Sequence, residues 1–420
     1  MSERDTGLAA RHLHDALTAQ QRGDLPAAHT AALAALDAFS EAEDRTGSAA
    51  AHHLLFMTTA SMGQLDKADE HLAAAAALRE STGDTDGIAS LYQQRFGLSL
   101  QRGDSAAARA SSEKVLAVYE SVGDRENQAA AIHQFVQFLI QEADLTRARE
   151  LLDKGMWLTD RAGEERGRSA LTLLMSQLEF AGGNVPRGVS LVEDAVSIAR
   201  KAGKRPALID AQHQLGVTYA MIGRLEDALA LLEEVLDGRE LMRDLEGRAN
   251  TLRELAGVEA ALGLTREALG RLDYAGRTYK EMGNIGGQAT ALHAASTLAE
   301  EAEQIQDALR FGQALIDVCE EMKDPEASGS ARFAQGARHV MVGDLESAAA
   351  CYRSAAADQR SVGAMESRGI SLGMLGQVLD ELGDREGADK ALSEAVAQLE
   401  AVNSTSLADL QAILAQIRSS

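Results

Sequence analysis

The sequence is poor in the residues that build sheets. Aromatic residues are 4% of the 420-residue chain, and strands are normally filled by β-branched and aromatic side chains, so a large sheet is not expected. Prolines, which interrupt helices, number only four. The two cysteines, Cys319 and Cys351, cannot build a disulfide framework. These absences favour an all-α fold that is held together by packing alone.

Long apolar runs and clustered positive charge are also missing. No stretch approaches the roughly 18 uninterrupted apolar residues of a membrane-spanning helix, and the first five residues do not begin a secretion signal. We therefore expect a cytoplasmic protein with no membrane partner. Lys and Arg number 41 against 64 Asp and Glu, which gives a formal net charge of −23. Such a surface repels phosphate backbones, so we expect no nucleic-acid partner.

Glycine is abundant, and its positions repeat. Every twentieth residue from 23 to 403 gives twenty positions, and fourteen of them hold glycine, where 37 glycines in 420 residues would place about two by chance. Because left-handed backbone geometry costs glycine little, this spacing predicts helices of about 16 residues with a turn after each. The glycines are residues 23, 63, 83, 103, 123, 163, 183, 203, 223, 263, 283, 343, 363 and 383. The other six positions hold Glu43, Ala143, Arg243, Glu303, Lys323 and Asn403.

Proline and aspartate keep the same register. All four prolines follow a turn position by two or three residues, in the first helical turn, where a missing N–H is harmless. These prolines are Pro26, Pro186, Pro206 and Pro325. Six turn glycines are followed directly by aspartate, which can cap the next helix. These aspartates are Asp24, Asp84, Asp104, Asp124, Asp344 and Asp384.

Small residues double the period to forty. Turn position 23 and every fortieth position after it are followed, five residues later, by Ala or Gly. Twelve residues after each of these turn positions stands a second residue, which is mostly small. Small side chains let two helices approach closely, so each forty-residue unit is predicted to be a hairpin of helix A, a turn and helix B. The first series is Ala28, Ala68, Ala108, Ala148, Gly188, Ala228, Ala268, Ala308, Ala348 and Ala388. The second is Ala35, Ala75, Val115, Gly155, Ala195, Val235, Ala275, Leu315, Ala355 and Ala395.

Residues 212–236 show the unit best. Leu215-Gly216-Val217-Thr218-Tyr219 is followed by Gly223 at the turn and Ala228 five residues later. This unit resembles the tetratricopeptide repeat in spacing, although its forty residues exceed the usual thirty-four. The resemblance covers about residues 7–402 and implies a right-handed superhelical solenoid of ten helix-turn-helix repeats. Long repeats of this kind are similar to sensor regions of bacterial transcriptional activators and to peptide-binding quorum-sensing receptors.

The end of the chain is predicted to close the array. Leu407, Leu410, Ile413 or Leu414, and Ile417 recur at helical spacing, so residues 405–418 should form a capping helix whose apolar side covers the last hairpin. With this helix, residues 1–420 are expected to form one solenoid domain. The exposed ends of such a solenoid could pair, so the fold allows a homodimer.

Histidines form the most informative pattern. His53, His133, His213 and His293 are eighty residues apart, and each stands ten residues before a turn and two after an alanine. One interpretation is the trace of an eighty-residue duplication. The other comes from the resemblance, because this place on helix A lines the concave groove where partners bind. Gln93 at an intervening place, and Gln137 and Gln177 four residues beyond such places, would add amide groups to that surface.

Spacing excludes one use of the histidines. Helices pack about 8–10 Å apart, so histidines two hairpins apart should be separated by roughly 20 Å, too far to share one metal ion. Tetratricopeptide proteins that grip the acidic tails of chaperones carry Lys, Arg and Asn in the groove. The corresponding places here hold His, Gln, Leu, Ala and Met, so that function is not expected.

No catalytic motif occurs in the sequence. It contains neither a phosphate-binding Gly-rich loop ending in Lys and Ser or Thr nor a His-Glu-x-x-His motif, so we expect no enzyme, cofactor or metal. The favoured hypothesis is a regulatory interaction scaffold that binds a peptide or protein in the concave groove. The alternative is a sensor that binds a small molecule or signalling peptide inside the superhelix. An enzyme would need His and carboxylate groups that converge in a pocket.

Overall fold

The computed structural model describes residues 3–162 and 165–419, and every regular element in them is an α-helix. The predicted all-α fold is therefore confirmed, with twenty-one helices and no strand in these residues. Helices α1 to α20 alternate between A (odd numbers) and B (even numbers). The helices are α1 (Glu3–Gln21), α2 (Leu25–Glu41), α3 (Arg45–Ser61), α4 (Leu65–Thr82), α5 (Thr85–Gln101), α6 (Ser105–Val122), α7 (Arg125–Gln141), α8 (Leu145–Ala162), α9 (Glu165–Ala181), α10 (Val185–Ala202), α11 (Arg205–Met221), α12 (Leu225–Met242), α13 (Leu245–Ala261), α14 (Thr265–Glu281), α15 (Ile285–Glu301), α16 (Ile305–Glu321), α17 (Pro325–Met341), α18 (Leu345–Ser361), α19 (Met365–Glu381), α20 (Arg385–Ala401) and α21 (Leu407–Ser419).

The turns fall where the glycines predict them. Nineteen of the twenty turn positions are described, and all nineteen have positive φ, whereas Gly163 lies outside the described residues. The thirteen glycines have φ of 66–83° and the six other residues have φ of 52–58°. At Gly223, the amide donates to Ala220 O at 3.1 Å and the next amide donates to Tyr219 O at 2.8 Å. The repeat therefore imposes left-handed geometry even where no glycine is present.

Aspartates begin the next helices as expected. Each of the six predicted caps accepts a hydrogen bond from the backbone N–H three residues ahead, at 2.9–3.1 Å. Asp24, for example, accepts from Ala27 N at 3.1 Å. These bonds satisfy N–H groups that have no partner inside the helix, so two or three residues between the helices are enough for each of these turns.

The two small-residue series lie away from solvent. Every member of both series is buried, and all the alanines among them are fully buried. A Cβ atom added to Gly155 of α8 would lie 3.1 Å from Ile132 Cγ2 of α7, the other helix of its hairpin. Leu171 Cδ1 of α9 would lie at 3.0 Å from the same atom, so this buried glycine faces helix A of the following hairpin as well as that of its own. That both series mark the contact within each hairpin stays a prediction.

The helices group into two compact units, Met1–Ala211 and Gln212–Ser420. In the first unit, Phe135 and Leu139 belong to a core that also contains Leu152 and Leu174. In the second, Tyr352 belongs to a core with Leu375. The expected single solenoid domain over residues 1–420 stays a prediction.

The last helix covers the end of the second unit. Helix α21 begins at Leu407, two residues later than expected, and its Leu410 and Leu414 are buried in the same core as Leu392. A Cβ atom on Gly373 would come within 2.6 Å of Leu410 Cδ1, so α21 packs closely on α19. Across the described helices, none combines the length and apolar character that crossing a bilayer requires.

Candidate functional site

The four histidines occupy equivalent positions on helices A. His53 and His133 stand on α3 and α7 in the first unit, and His213 and His293 stand on α11 and α15 in the second. Their surroundings fall into two classes. His53 and His213 bond to side chains of the following hairpin, whereas His133 and His293 line cavities.

His53 is held on both ring nitrogens. Its Nε2 lies 2.6 Å from Gln94 Oε1, and Arg79 Nη2 donates to its Nδ1 at 3.1 Å. These contacts fit a neutral imidazole that is protonated on Nε2. Burial lowers the pKa of His53 below its ordinary value, the Arg79 charge lowers it further, and the Gln94 bond opposes them. His53 therefore ties α3 to α4 and α5.

His213 makes a similar tie in the second unit. Its Nδ1 lies 3.3 Å from Thr251 Oγ1, and that hydroxyl already donates to Gly247 O at 2.7 Å. Because a hydroxyl has a single proton to donate, the imidazole Nδ1–H is the donor to Thr251. This bond joins α11 to α13.

His133 lines a cavity of about 340 Å³ between α7 and α9. Ala129 and Ala130 flank the imidazole on α7, and Gly167 and Ala170 face it from α9. Burial of the half-exposed ring lowers the pKa of His133, so the ring is neutral near pH 7. Small side chains on both helices leave this space open.

His293 lines a cavity of about 380 Å³ among α15, α16 and α17. Ala327, Ala331 and Ala334 of α17 form one wall, and Leu315 and Cys319 of α16 form the base. Burial raises the pKa of the Cys319 thiol, which therefore remains protonated near pH 7. The walls are mostly apolar, with hydroxyl groups of Thr290, Ser296 and Ser330 among them.

The two cavities occupy the same place in the repeat, 160 residues apart. Six lining residues of one cavity correspond to six of the other, and the pairs are Ala129 and Ala289, Ala130 and Thr290, His133 and His293, Gly167 and Ala327, Ala170 and Ser330, and Leu171 and Ala331. At the His53 level Gln94, which stands where Ala334 stands beside His293, reaches the imidazole. The buried Leu174 stands at the same place beside His133, so the size of this one side chain does not by itself decide where a cavity opens.

The predicted glutamines lie outside these cavities. Gln93 and Gln137 are exposed and Gln177 is half-buried. At the His53 level the neighbouring Gln94, and not Gln93, reaches the imidazole. The glutamines as partner-binding residues stay a prediction.

Sequence reasoning missed Arg338, which also lines the His293 cavity. Arg338 is 4% exposed, and its Nε donates to Glu300 Oε2 at 2.8 Å. Its Nη1 lies 3.4 Å from Gln335 Oε1 and its Nη2 lies 3.5 Å from Ser296 Oγ, both at the limit of a hydrogen bond. One charged residue at an otherwise uncharged position of the repeat was the signal that could have found it.

A close histidine pair stands apart from these cavities. His52 Nδ1 on α3 lies 3.1 Å from His71 Nδ1 on α4, and burial followed by the charge of the other ring lowers the pKa of His52. Over the described part of the chain, no group of three or more His, Cys, Asp or Glu residues is arranged to hold a metal ion. The pair therefore has too few partners for a structural zinc site.

Residues 168–241 match the family model described as tetratricopeptide repeat, and these residues include the unit 212–236. A search of curated protein sequences gives no match.

Several solved structures are similar to the chain. The signal transduction ATPase with a tetratricopeptide repeat sensor from Pyrococcus horikoshii has a TM-score of 0.54 at 14% identity, over 88% of this chain and 55% of that one. The present chain thus spans about half the length of that protein. At this identity the likeness shows the helical-repeat fold alone.

Two further structures are similar at lower scores. A Rap protein complexed with competence and sporulation factor gives a TM-score of 0.46 at 12% identity, over 89% of this chain and 98% of that one. The quorum sensor NprR from B. thuringiensis, in its apo form, gives 0.41 at 11% identity, over 81% and 99%.

Proposed function

We propose that this tetratricopeptide-repeat protein is an interaction module without catalytic activity, whose A helices bind a peptide or protein partner. The partner would lie in the groove that the repeat resemblance predicts, with a side chain entering the His133 cavity of the first unit or the His293 cavity of the second. The observation that carries the proposal is the recurrence of a histidine-lined cavity at one place in the repeat. A peptide that crosses successive helices A meets equivalent positions at regular intervals, which suits equivalent pockets.

The chemistry of the cavities fits side chains of a partner. Each combines small apolar walls with an imidazole and a few other polar side chains, Glu126 and Asn127 in the His133 cavity and Ser296 and Arg338 in the His293 cavity. A pocket of this kind buries an apolar group while a few polar groups fix its orientation. The neutral imidazole of His133 can donate with one nitrogen and accept with the other. His53 and His213 already bond within the protein, so they would contribute less to a partner than His133 and His293.

Peptide selection tests the proposal. Random linear peptides displayed on phage would be selected against the full chain, and synthetic versions would be titrated by fluorescence anisotropy. We expect His133→Ala or His293→Ala to weaken binding by about tenfold, as loss of a central contact does. Ala130→Leu, which fills the His133 cavity, should do the same without removing a polar group.

The control variant is His14→Ala, because His14 is an exposed histidine on helix α1 away from both cavities. Its affinity should equal that of the unaltered chain, and circular dichroism should show the same helicity for all four variants. Peptides that bind every variant within a factor of about two would contradict the proposal.

A ligand-responsive sensor is the second candidate function. The observation that favours it is the His293 cavity itself, which is mostly apolar and has a buried guanidinium at one side. Such a cavity suits a small ligand as well as a peptide side chain.

A further inference from the structure

Arg338 occupies a position that no other hairpin fills with a charged residue. The equivalent residues are Thr18, Thr58, Leu98, Phe138, Leu178, Thr218, Val258, Leu298 and Val378. A charged group in such a place costs desolvation, and apolar replacements of buried ion pairs are often neutral or stabilising. Arg338 is therefore not explained by the packing needs of the repeat.

Three neighbouring positions make room for its guanidinium. A Cβ atom on Gly312 of α16 would lie 2.6 Å from Arg338 Nη1 and 2.2 Å from Gln335 Oε1, so a larger residue there would displace both side-chain ends. The equivalent residues include Leu272 and Tyr352. Ser296 and Gln335 are fully or almost fully buried, and both carry polar atoms towards the guanidinium. Gly312 and Arg338 are each the one residue of its type at its position of the repeat, and they occur together beside these buried polar groups, which indicates a built polar site.

The hydrogen-bond donors of the Arg338 guanidinium are only partly used. A guanidinium has five N–H donors, and here one short bond goes to Glu300 while two contacts lie at 3.4 and 3.5 Å. Ser296 and Arg338 both line the cavity and meet at the Oγ to Nη2 contact, so this contact marks its polar end. Ala327, Ala331 and the base of α16 form its apolar part.

We infer that the His293 cavity is a receptor site for a carboxylate that carries a short apolar chain. The carboxylate would bind beside Arg338 and Ser296, where a guanidinium can donate two parallel hydrogen bonds, and the chain would lie along the alanine wall. The cavity of about 380 Å³ equals about a dozen water volumes of roughly 30 Å³ each, which suits a ligand of that many non-hydrogen atoms or fewer. This inference deepens the proposed function, because it gives one of its pockets a ligand class.

The chain's charge makes this local arrangement necessary. A net charge of −23 repels anions from the surface, so a carboxylate ligand needs a cation that is shielded from water and salt. Glu300 is the internal competitor for Arg338, and its side chain is 40% exposed, so it can turn towards water when a ligand arrives. The free short-chain acid and the C-terminal residue of a peptide share this chemistry.

Calorimetric titration of the full chain tests the inference. Butanoate, hexanoate and octanoate should bind with affinity that rises about fourfold per added methylene until the cavity is full, because each buried CH₂ contributes about 0.8 kcal/mol. 1-Hexanol and hexylamine are the matched ligands without a carboxylate and should bind at least about tenfold more weakly than hexanoate. The peptide acetyl-Ala-Leu-Leu, compared with its C-terminal amide, distinguishes a peptide terminus from a free acid as the source.

Variants locate the site. Arg338→Met should weaken hexanoate binding by at least about tenfold, and Ala334→Leu should do so by filling the cavity while leaving the polar network intact. Glu300→Gln should tighten binding, because it removes the competing charge, and a purely structural ion pair predicts no such gain. Arg360→Met, at an exposed position of α18, is the matched control and should leave binding unchanged.

Cys319 reports occupancy directly. It lines the cavity, whereas Cys351 lies on α18 and serves as an internal reference. Hexanoate should slow alkylation of Cys319 by iodoacetamide relative to Cys351, measured by mass spectrometry.

Equal binding of hexanoate and 1-hexanol, or full binding by Ala334→Leu, would overturn the inference. If the selected peptides in that case still lose affinity for His133→Ala, the proposed function remains supported. Conversely, hexanoate could protect Cys319 while the selection yields no peptide that binds. That result would support the carboxylate site and contradict the proposal of a peptide-binding module.

Discussion

The left-handed turns can be tested by replacing glycine with alanine at two nearby positions, where the free energy of unfolding should change in opposite directions. Gly257 lies in the middle of α13 on its exposed side, and Gly263 is the turn residue after the same helix, with φ of +79°. A Cβ atom at either position would have no heavy atom within 4 Å, so packing does not distinguish them. Replacing each by alanine therefore isolates the backbone contribution.

The expected free-energy changes follow from that contribution. At Gly257 alanine should raise the free energy of unfolding by roughly 0.5–1 kcal/mol, as it does in helix interiors. At Gly263 left-handed geometry costs alanine roughly 1–2 kcal/mol, and its less flexible unfolded chain returns roughly 0.4–1 kcal/mol. We expect a net loss of about 0.5–1 kcal/mol at Gly263, so the two variants should differ by roughly 1.5 kcal/mol.

Amide hydrogen exchange is the suitable assay. Repeat proteins unfold in steps, and a global melting curve would average over hairpins that the substitutions do not touch. Exchange of the amides of α13 and α14 reports the local opening free energy, which should rise in Gly257→Ala and fall in Gly263→Ala. Equal stabilisation by both variants would refute the argument that the turn geometry selects glycine.

Four further predictions concern other features. Ala143→Gly, at a turn with φ of 58°, should stabilise the α7–α8 hairpin by about 0.5–1 kcal/mol in the same exchange assay, and a loss would contradict the imposed geometry. Gly336→Ala should cost about 1–3 kcal/mol in urea unfolding, because its Cβ would lie 2.9 Å from Tyr352 Cε1, and an unchanged midpoint would refute this. Asp384→Ala should cost about 1 kcal/mol through loss of the α20 cap, whereas Asp384→Asn should keep most of it. Burial lowers the pKa of His53 in the folded chain. As the pH falls, the unfolded chain therefore protonates this histidine before the folded chain does. Stability is therefore full above about pH 6.5 and lost as the pH falls through the lower folded pKa, and His53→Gln should flatten this dependence in pH-resolved urea unfolding.

The helices and turns were predictable because their signals are local. A residue such as Gly223 needs left-handed geometry within one turn of chain, and Asp24 caps an N–H three residues ahead. The helices are mostly 17 or 18 residues long, slightly longer than the expected 16, because the cap residue is followed at once by the next helix. Local signals of this kind do not depend on the remaining fold.

The candidate site was predictable only in part. The sequence placed four equivalent histidines on helices A, and it offered a duplication trace or a binding surface as their explanation. It did not separate His53, which Gln94 and Arg79 hold, from His293, which lines a cavity. That distinction depends on side chains of the following hairpin, about forty residues away.

By itself, the sequence determined that this protein consists of helices with a turn every twenty residues and a close contact every forty, since helix ends and small contact residues obey short-range rules. Only the tertiary structure decided which levels of the repeat are filled and which are open. The space beside Ala331 and Ala334 is lined by residues of α15 and α16 as well as α17, and the guanidinium of Arg338 lies where a side chain at Gly312 would crowd it. Cavities and buried charges are properties of several helices at once, so they become visible when those helices are packed.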